Sequence, residues 1–446
     1  MDKTDFRQRV LRLFPGVIIS QLTSMILGTV NTMMAGHINS EVLSGVGNAD
    51  TALLVIIAFF DGYTYGGSAL NGRYLAQRDG GAASQVTAGS LIMGLSFGIP
   101  LSVLLFFFRA PIMQMVYSSA AAPVINASCD YLAFAAFSIP AAFVFSQLSG
   151  ILRSAGDSIS PMLAGLSANL VNLAVGAYLI LGLFGAKRLG AAGAGITLLA
   201  ARISSILVLL VSAHFRNSFR KFSPFEIRNF SCHLSEINRI GFPSSFETSA
   251  FYVSRLVLQI IIAMMGTAAN ASYLVFQSSV SLYSLIVDAY AIVIFHVTAN
   301  YSGIGNRKDC QLFAKRAIKL GFLLSACISM LILVTKQFIP YIYTSSDEIS
   351  NTVSLMLFAL AYTMLIWPWT WLLPSFFRGT GNVRYSAIVN IVCTWSLRIG
   401  GTFVLSHCFD IGVFSVPIAI AVDCTVRALL YYPYYRKGKW LIYLHD

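Results

Sequence analysis

The sequence predicts an all-α integral membrane protein with twelve transmembrane helices, arranged as two pseudo-symmetric six-helix lobes. Three observations support this prediction: the composition, the spacing of the apolar segments and an internal repeat. Of the 446 residues, 57% are hydrophobic and only 11% are charged, and the mean hydropathy is +0.72. Soluble domains carry about a quarter charged residues, so the composition excludes a soluble protein.

Apolar segments of about 20 residues recur along the whole chain, which is the length a helix needs to cross the hydrocarbon core. We expect twelve spans, at 13–36, 46–70, 84–107, 126–150, 161–184, 191–213, 241–265, 271–299, 314–335, 350–376, 384–407 and 411–433. The first follows the basic stretch MDKTDFRQRVLRLF, and no small-residue cleavage site comes after it. We therefore expect a retained helix and not a signal peptide.

The second half of the chain repeats the first. FFDGYTYGGSALNGRYLAQ, from residue 59, corresponds to IVDAYAIVIFHVTANYSGI, from residue 286, so that Asp61 matches Asp288. With six helices per copy both copies start on the same side of the membrane, and parallel repeats of this kind are typical of transporters with a substrate site at the repeat interface. The predicted domains are an N-terminal lobe, a polar connector and a C-terminal lobe, at 1–213, 214–240 and 241–446.

The net charge of +12 is explained by membrane topology and not by nucleic-acid binding. When both termini are placed in the cytoplasm, most of the 30 Lys and Arg residues fall in cytoplasmic segments. This bias is the positive-inside rule, and it predicts a multi-pass protein of the plasma (inner) membrane that contacts anionic lipids. We expect a monomer with a small-molecule substrate and no nucleic-acid partner.

Motifs for catalysis or metal binding are missing from the sequence. The seven cysteines are scattered without paired spacing, which argues against a disulfide framework or a metal site. No P-loop, Ser/His/Asp constellation or HExxH motif occurs, so we predict no enzyme activity, no catalytic residues and no cofactor. The energy for transport would then come from an ion gradient or from a partner, and with an ion gradient the coupling ion would be H⁺ or Na⁺.

Three stretches resemble the multidrug and toxic compound extrusion (MATE) family: GTVNTMMAGHINSEVLSGVG (28–47), SGILRSAGDSISPML (149–163) and FFRGTGN (376–382). They occur in the family's order and at its spacing, and the similarity covers nearly the whole chain. The resemblance implies two six-helix lobes forming a V-shaped central cleft. It also implies export of bulky, often cationic or amphipathic compounds driven by uptake of H⁺ or Na⁺.

The chain departs from the family at several acidic positions. Asn31 stands where many members have an Asp in the first helix. Asn172 and Gly176 stand where many members have an Asn followed four residues later by an Asp, so both of these acids are missing here. Asn31 and Asn172 can offer oxygens to Na⁺ but cannot carry a proton. Glu247 stands where many members have a Glu in the seventh helix. An aromatic residue, at or near Trp367, replaces the tenth-helix Asp of some members.

Asp61 and Asp288 are the strongest candidates for the coupling site. Both lie midway along predicted spans, where an ionised carboxylate costs several kcal/mol unless it is paired, neutralised or hydrated. We hypothesise that both face cations, together with Glu247, Asn31 and Asn172. The structural alternative is a permanent pairing with one of the intramembrane arginines, as we expect for Asp423 and Arg427, which stand four residues apart on one helix.

Aromatic residues are candidates for substrate contact. Tyr63, Tyr290 and Trp367 would form walls for planar or cationic molecules, and His296, two turns after Asp288, would lie near them or relay protons. Packing or membrane-interface anchoring explains the same residues equally well.

Two rival functions remain open at this point. A flippase for lipid-linked oligosaccharide would share the architecture, and the four arginines within predicted spans would suit it. A non-transporting membrane scaffold or receptor is the third reading, which the repeat and the internal acids disfavour.

Overall fold

The computed structural model describes residues 3–36, 40–117, 121–180, 182, 188–221, 231–304, 307–343 and 346–441. Nearly all of these described residues lie in helices and none lies in a strand, which confirms the all-α prediction.

The chain divides into two compact units, residues 11–245 and residues 246–446 together with 1–10. The helices that begin in the first half are α1 Lys3–Gly36, α2 Ser40–Ala76, α3 Gly80–Val116, α4 Ala122–Ala135, α5 Ser138–Ser154, α6 Ile159–Leu179, α7 Gly190–Phe215 and α8 Leu234–Ala263. The later helices are α9 Thr267–Ile304, α10 Arg307–Thr335, α11 Ile339–Tyr343, α12 Asp347–Trp367, α13 Leu373–Gly379, α14 Arg384–Cys393, α15 Gly401–His407 and α16 Ser415–Arg436.

The helices have the length and composition needed to cross a membrane. Among the described residues ten spans pass this test, and the bent pair α4 and α5 makes eleven. The 34-residue helix α1 precedes them. Counted with α1, the spans agree with the twelve that were predicted.

The fourth predicted span is bent by 52° between α4 and α5. Pro140, in the first turn of α5, has no backbone N–H to donate to the carbonyl of Ala136, and its ring crowds that carbonyl. The hydroxyl of Ser102, on α3, donates to the Ala136 carbonyl at 2.8 Å. The hydrogen bond that proline removes from the helix is thus replaced from a neighbouring helix.

In the first unit, α2 packs closely against the first turns of α8. A Cβ built on Gly62 would lie 2.5 Å from the Ser244 carbonyl oxygen, and one built on Gly66 would lie 2.5 Å from the Ile237 carbonyl oxygen. Two glycines four residues apart let helix backbones approach directly, as small residues commonly do in membranes. The contact fixes the position of α2 around Asp61.

In the second unit, two spans contain a π-helical turn. One covers Pro368–Leu372 between α12 and α13, and the other covers Thr394–Gly400 between α14 and α15. π-turns are rare in proteins, and many of those that do occur lie at functional sites. The first turn holds Trp371 and the second holds Arg398, and both residues belong to the cluster described next.

Candidate functional site

One carboxylate oxygen of Glu247, in α8, has both an ion-pair partner and a hydrogen-bond donor within the second unit. Arg378 Nη2 lies 2.6 Å from Glu247 Oε1, and Asn390 Nδ2 donates to the same oxygen at 2.7 Å. The Glu247 side chain is 1% exposed. Binding a further cation at this oxygen would require the ion pair with Arg378 to break.

Asp423 in α16 is held by two arginines. Arg427 Nη2, on the next turn of the same helix, lies 2.5 Å from Asp423 Oδ2, and Arg398 Nη2 lies 2.7 Å from the same oxygen. Arg427 Nη1 also donates to Asn390 Oδ1 at 2.7 Å. Asn390 therefore joins the Asp423 pairings to the Glu247 pairing in one buried network.

The network holds more positive than negative charge. It contains three arginines, at 378, 398 and 427, against the two carboxylates of Glu247 and Asp423. Buried ions carry a desolvation cost that good pairing offsets, and removing one partner leaves the other uncompensated. The network is thus a structural element of the second unit that disfavours uptake of an additional cation.

Asp288 in α9 has a different environment. Its Oδ2 accepts a hydrogen bond from Ser284 Oγ at 2.8 Å, and Trp367 lies beside it. Its side chain is half-buried. Within the described residues it has no arginine or lysine at ion-pair distance.

Aromatic rings connect the surroundings of Asp288 to the charged network. Trp367 stacks on Trp371 with ring centroids 5.2 Å apart, and Trp371 meets the edge of Phe251 at 5.6 Å. The Arg398 guanidinium lies 5.5 Å from the centre of the Phe251 ring. The second unit therefore has a continuous aromatic path of the kind that suits planar or cationic molecules.

Asp61 in α2, within the first unit, resembles its repeat partner Asp288. Ser146 Oγ donates a hydrogen bond to Asp61 Oδ1 at 2.5 Å, and Arg202 and Arg153 interact with the carboxylate electrostatically. It is half-buried, and the described part of the chain places no cation at ion-pair distance from it. Both repeat-related acids thus accept a hydrogen bond from a serine hydroxyl, and among the described residues neither forms an ion pair with an arginine.

A second acid in α2, Asp50, was missed by the sequence analysis. Tyr131 in α4 donates to Asp50 Oδ1 at 3.0 Å, and Arg202 in α7 acts on it electrostatically. Asp50 precedes Asp61 by eleven residues, about three helical turns, so both lie on one face of α2. That spacing was the signal available in the sequence.

Of the two asparagines predicted to offer oxygens to Na⁺, the structure describes the side chain of one. Asn172 in α6 is fully buried, and neither its amide nitrogen nor its amide oxygen has a hydrogen-bond partner among the described residues. Asn31 lies on α1, but its side chain falls outside the described residues.

The predicted aromatic contacts are buried within their own units. Tyr63 donates to Asn238 Oδ1 at 2.7 Å, and Tyr290 donates to the Ala317 carbonyl at 2.9 Å. His296 is 3% exposed and meets Phe295 edge-on. Trp367 is 7% exposed and belongs to the aromatic path.

Among the described residues, no group of three or more His, Cys, Asp or Glu side chains is arranged to hold a metal ion.

The comparisons with known proteins agree on one family. The MatE family model matches residues 17–179 and 243–404, two stretches of nearly equal length in the two halves of the chain. The chain is similar to a probable multidrug resistance protein NorM from Thermotoga maritima, with 20% identity over 98% of this chain and 93% of that protein. It is also similar to the multidrug export protein MepA from Staphylococcus haemolyticus, with 23% identity over 93% and 90% of the two chains.

Solved structures show the same fold. A MATE transporter crystallised in the bent conformation has a TM-score of 0.86 and 21% identity, covering 98% of this chain and 96% of that one. A MOP superfamily transporter from Pyrococcus furiosus has a TM-score of 0.84 and 22% identity at the same coverage. The family match spans most of the sequence, and the chain therefore belongs to the MATE family of multi-pass membrane transporters for multidrug efflux.

Proposed function

We propose that this chain is a secondary active antiporter, which exports bulky cationic or amphipathic small molecules in exchange for H⁺ or Na⁺ by alternating access. The single observation that carries the proposal is the contrast between two kinds of intramembrane acid. Glu247 and Asp423 are held by arginines, whereas Asp61 and Asp288 accept hydrogen bonds from serines and have no ion pair among the described residues.

An unpaired carboxylate in a membrane interior suits competition between cations. Its ionised form is costly there, and a proton, a sodium ion or a cationic substrate each offsets that cost. Only one of these occupies the carboxylate at a time, so binding of one favours release of another. Asp61 and Asp288 are thus the proposed coupling residues, one in each repeat.

The asparagine side chains of the proposed site favour binding of Na⁺ over uptake of a proton. Asn172 can donate an oxygen to Na⁺ but cannot take up a proton. Its buried amide, which lacks a partner among the described residues, supports a role as such a ligand. We include Asn31 in the same role on the basis of the sequence alone.

The aromatic path is the proposed binding surface for the apolar part of the substrate. Trp367, which stacks on Trp371, lies beside Asp288, so a planar cation can contact a ring face and a carboxylate together. Burial of Tyr63 and Tyr290 supports a packing role for them in this conformation.

We further propose a monomer in the plasma membrane with both termini in the cytoplasm, as the distribution of Lys and Arg favours. The cytoplasmic segments then contact anionic lipid headgroups. No cofactor is required beyond the transported ion.

Proteoliposomes with an imposed pH or Na⁺ gradient test this function. Ethidium accumulation that follows one gradient and stops when a protonophore or sodium ionophore is added supports antiport and identifies the ion. Ethidium movement equal to that of protein-free liposomes under both gradients would contradict the proposal. Transport that requires a lipid-linked oligosaccharide would favour the flippase instead.

A further inference from the structure

An apolar groove lies on the surface of α6 and α7 in the first unit. It has a volume of about 430 Å³. Its apolar lining consists of Leu163, Leu207, Val208, Val211 and Phe215. On α7, Leu207, Val211 and Phe215 follow one another at intervals of about one turn, and all three are exposed. Since both helices have the length and composition of membrane spans, the groove opens towards lipid.

Arg216, which directly follows α7, lies at one end of the groove. Its Nε pairs with Asp157 Oδ1 at 3.3 Å, and its two Nη atoms have no hydrogen-bond partner among the described residues. The Arg216 side chain is 41% exposed, whereas that of Asp157 is 7% exposed. The charge that this end of the groove presents is therefore positive, and two donor groups are left for an anion.

The length of the groove matches one leaflet of a membrane. Arg216 comes nine residues after Leu207, which is about 13 Å along a helix. One leaflet contributes about 15 Å to a hydrocarbon core of about 30 Å. An arginine at the membrane boundary keeps its charged head among the headgroups, while the apolar side chains before it lie among the acyl chains. A molecule with an anionic head and one apolar chain of leaflet length thus fits both ends of the groove.

The two repeats differ at this place. Ser160 of GILRSAGDSISP in the first half matches Tyr385 of SFFRGTGNVRYS in the second. Ser212 Oγ, on the groove, donates to Ser160 Oγ at 3.1 Å, so α7 and α6 meet here through two small side chains. In the second unit Tyr385 stacks on Tyr434, with ring centroids 4.0 Å apart, so two rings fill the contact between α14 and α16. The serines leave room beside α6 and α7 that the tyrosines occupy in the other repeat.

We propose that the groove binds one anionic glycerophospholipid, with its phosphate on Arg216 and one acyl chain along Leu207 and Val211. An arginine fork donates two hydrogen bonds to a phosphate. A zwitterionic lipid gains less, because the carboxylate that pairs with Arg216 is buried and does not receive an ammonium group. In the orientation proposed above the lipid belongs to the cytoplasmic leaflet. The site goes beyond the export function and does not depend on it.

Quenching of an introduced tryptophan by brominated lipid tests the site. Leu207→Trp places the reporter at an exposed position in the groove, and Leu170→Trp places one at an exposed position of α6 outside its lining. Each variant is reconstituted in phosphatidylcholine with increasing fractions of dibrominated phosphatidylglycerol or dibrominated phosphatidylcholine, and the signal of the five native tryptophans is subtracted. We expect the Leu207→Trp reporter to favour phosphatidylglycerol about fivefold or more, and the Leu170→Trp reporter less than about twofold.

Further variants in the Leu207→Trp background identify the groups responsible. Arg216→Gln should lower the preference for phosphatidylglycerol to less than about twofold, and Arg216→Lys should retain part of it. Val208→Phe fills the groove without touching the Arg216 ion pair and should also lower the preference. Arg384→Gln, which removes an exposed arginine at the start of α14, is the matched control and should leave it unchanged.

Three results would overturn the lipid site: a preference that survives Arg216→Gln, a preference that survives Val208→Phe, or equal preferences at the two reporters. The measurement requires neither an ion gradient nor an exported substrate, so its failure is distinct from failure of the antiport proposal.

Discussion

Arg378 Nη2 lies 2.6 Å from Oε1 of Glu247. Glu247 in α8, the acid that the family resemblance places in the seventh transmembrane helix, is therefore already paired with a cation. Asn390 donates to the same oxygen and links it to Arg427. The structure thus separates acids that hold the second unit together from acids that have no cation beside them among the described residues.

Breaking the Glu247 ion pair should destabilise the second unit strongly. In Arg378→Gln the buried carboxylate loses its compensating charge, which costs about 3–5 kcal/mol for a buried pair. The shift in denaturation midpoint of the purified protein measures this cost. The double variant Arg378→Gln with Glu247→Gln removes both charges and should recover part of the loss. If the single variant is as stable as the wild type, the pair is not a structural element.

Asp157, in the turn between α5 and α6, should make stability depend on pH. Its carboxylate accepts hydrogen bonds from the hydroxyls of Ser160 and Ser218 and from the backbone N–H groups of Ile159 and Ser160, and it pairs with Arg216 at 3.3 Å. Burial alone would raise the pKa of Asp157, but these hydrogen bonds and the nearby charge lower it below its ordinary value. The ionised carboxylate therefore stabilises the fold above about pH 4, and this is lost as the pH falls through the lowered pKa.

Asp157→Asn should therefore reduce stability at neutral pH and much less in acid. We expect a deficit of about 1.5–3 kcal/mol at pH 7, the strength of hydrogen bonds to a charged group, and a shrinking difference from the wild type below about pH 4. Thermal denaturation across a pH series measures it. Asp79→Asn is the control. Asp79 is exposed and caps α3 by accepting the Ala82 N–H, and because Asn caps a helix equally well, this substitution should leave stability unchanged. A deficit that grows on acidification would refute the role of the charge.

Gly62→Ala should disturb the packing of α2 on α8. A Cβ at this position would lie 2.5 Å from both the Ser244 carbonyl oxygen and the Ser245 Cα, and backbone atoms cannot rotate away. Overpacking of this kind costs about 1–3 kcal/mol. Gly47→Ala, on the same helix, meets nothing within 4 Å and should be neutral or stabilising. Equal thermal stability of the two variants would mean that the contact is not tight.

Most of the fold could be predicted because membrane spans are determined by local composition. A run of about 20 apolar residues has few alternatives to a helix in lipid. The bend at Ala136 and the π-turns at Pro368 and Thr394 were not predicted. The bend depends on a freed carbonyl that finds its partner on another helix. Ser102, for example, is distant in sequence from the Ala136 carbonyl that it satisfies.

The candidate site was less accessible from sequence. Intramembrane acids stand out in an apolar run, and a separation of four residues places Asp423 and Arg427 on one helix face. The partners that decide each acid's role are remote in sequence: Ser146 for Asp61, and Arg378 and Asn390 for Glu247. A single sequence contains no record of these pairings, because they arise from tertiary packing.

The assignment of Asp61 and Asp288 as coupling residues leads to the most direct test. Each is replaced by Asn, which preserves size and hydrogen bonding but not charge, and gradient-driven ethidium transport is measured in proteoliposomes. Asp347→Asn, at an exposed carboxylate at the start of α12, serves as the matched control. The account predicts at least about a tenfold loss of transport in Asp61→Asn and in Asp288→Asn with the control unchanged, because an amide cannot take up a proton and carries no negative charge to balance a cation. Full gradient-driven transport by the variant that lacks both acids would contradict it.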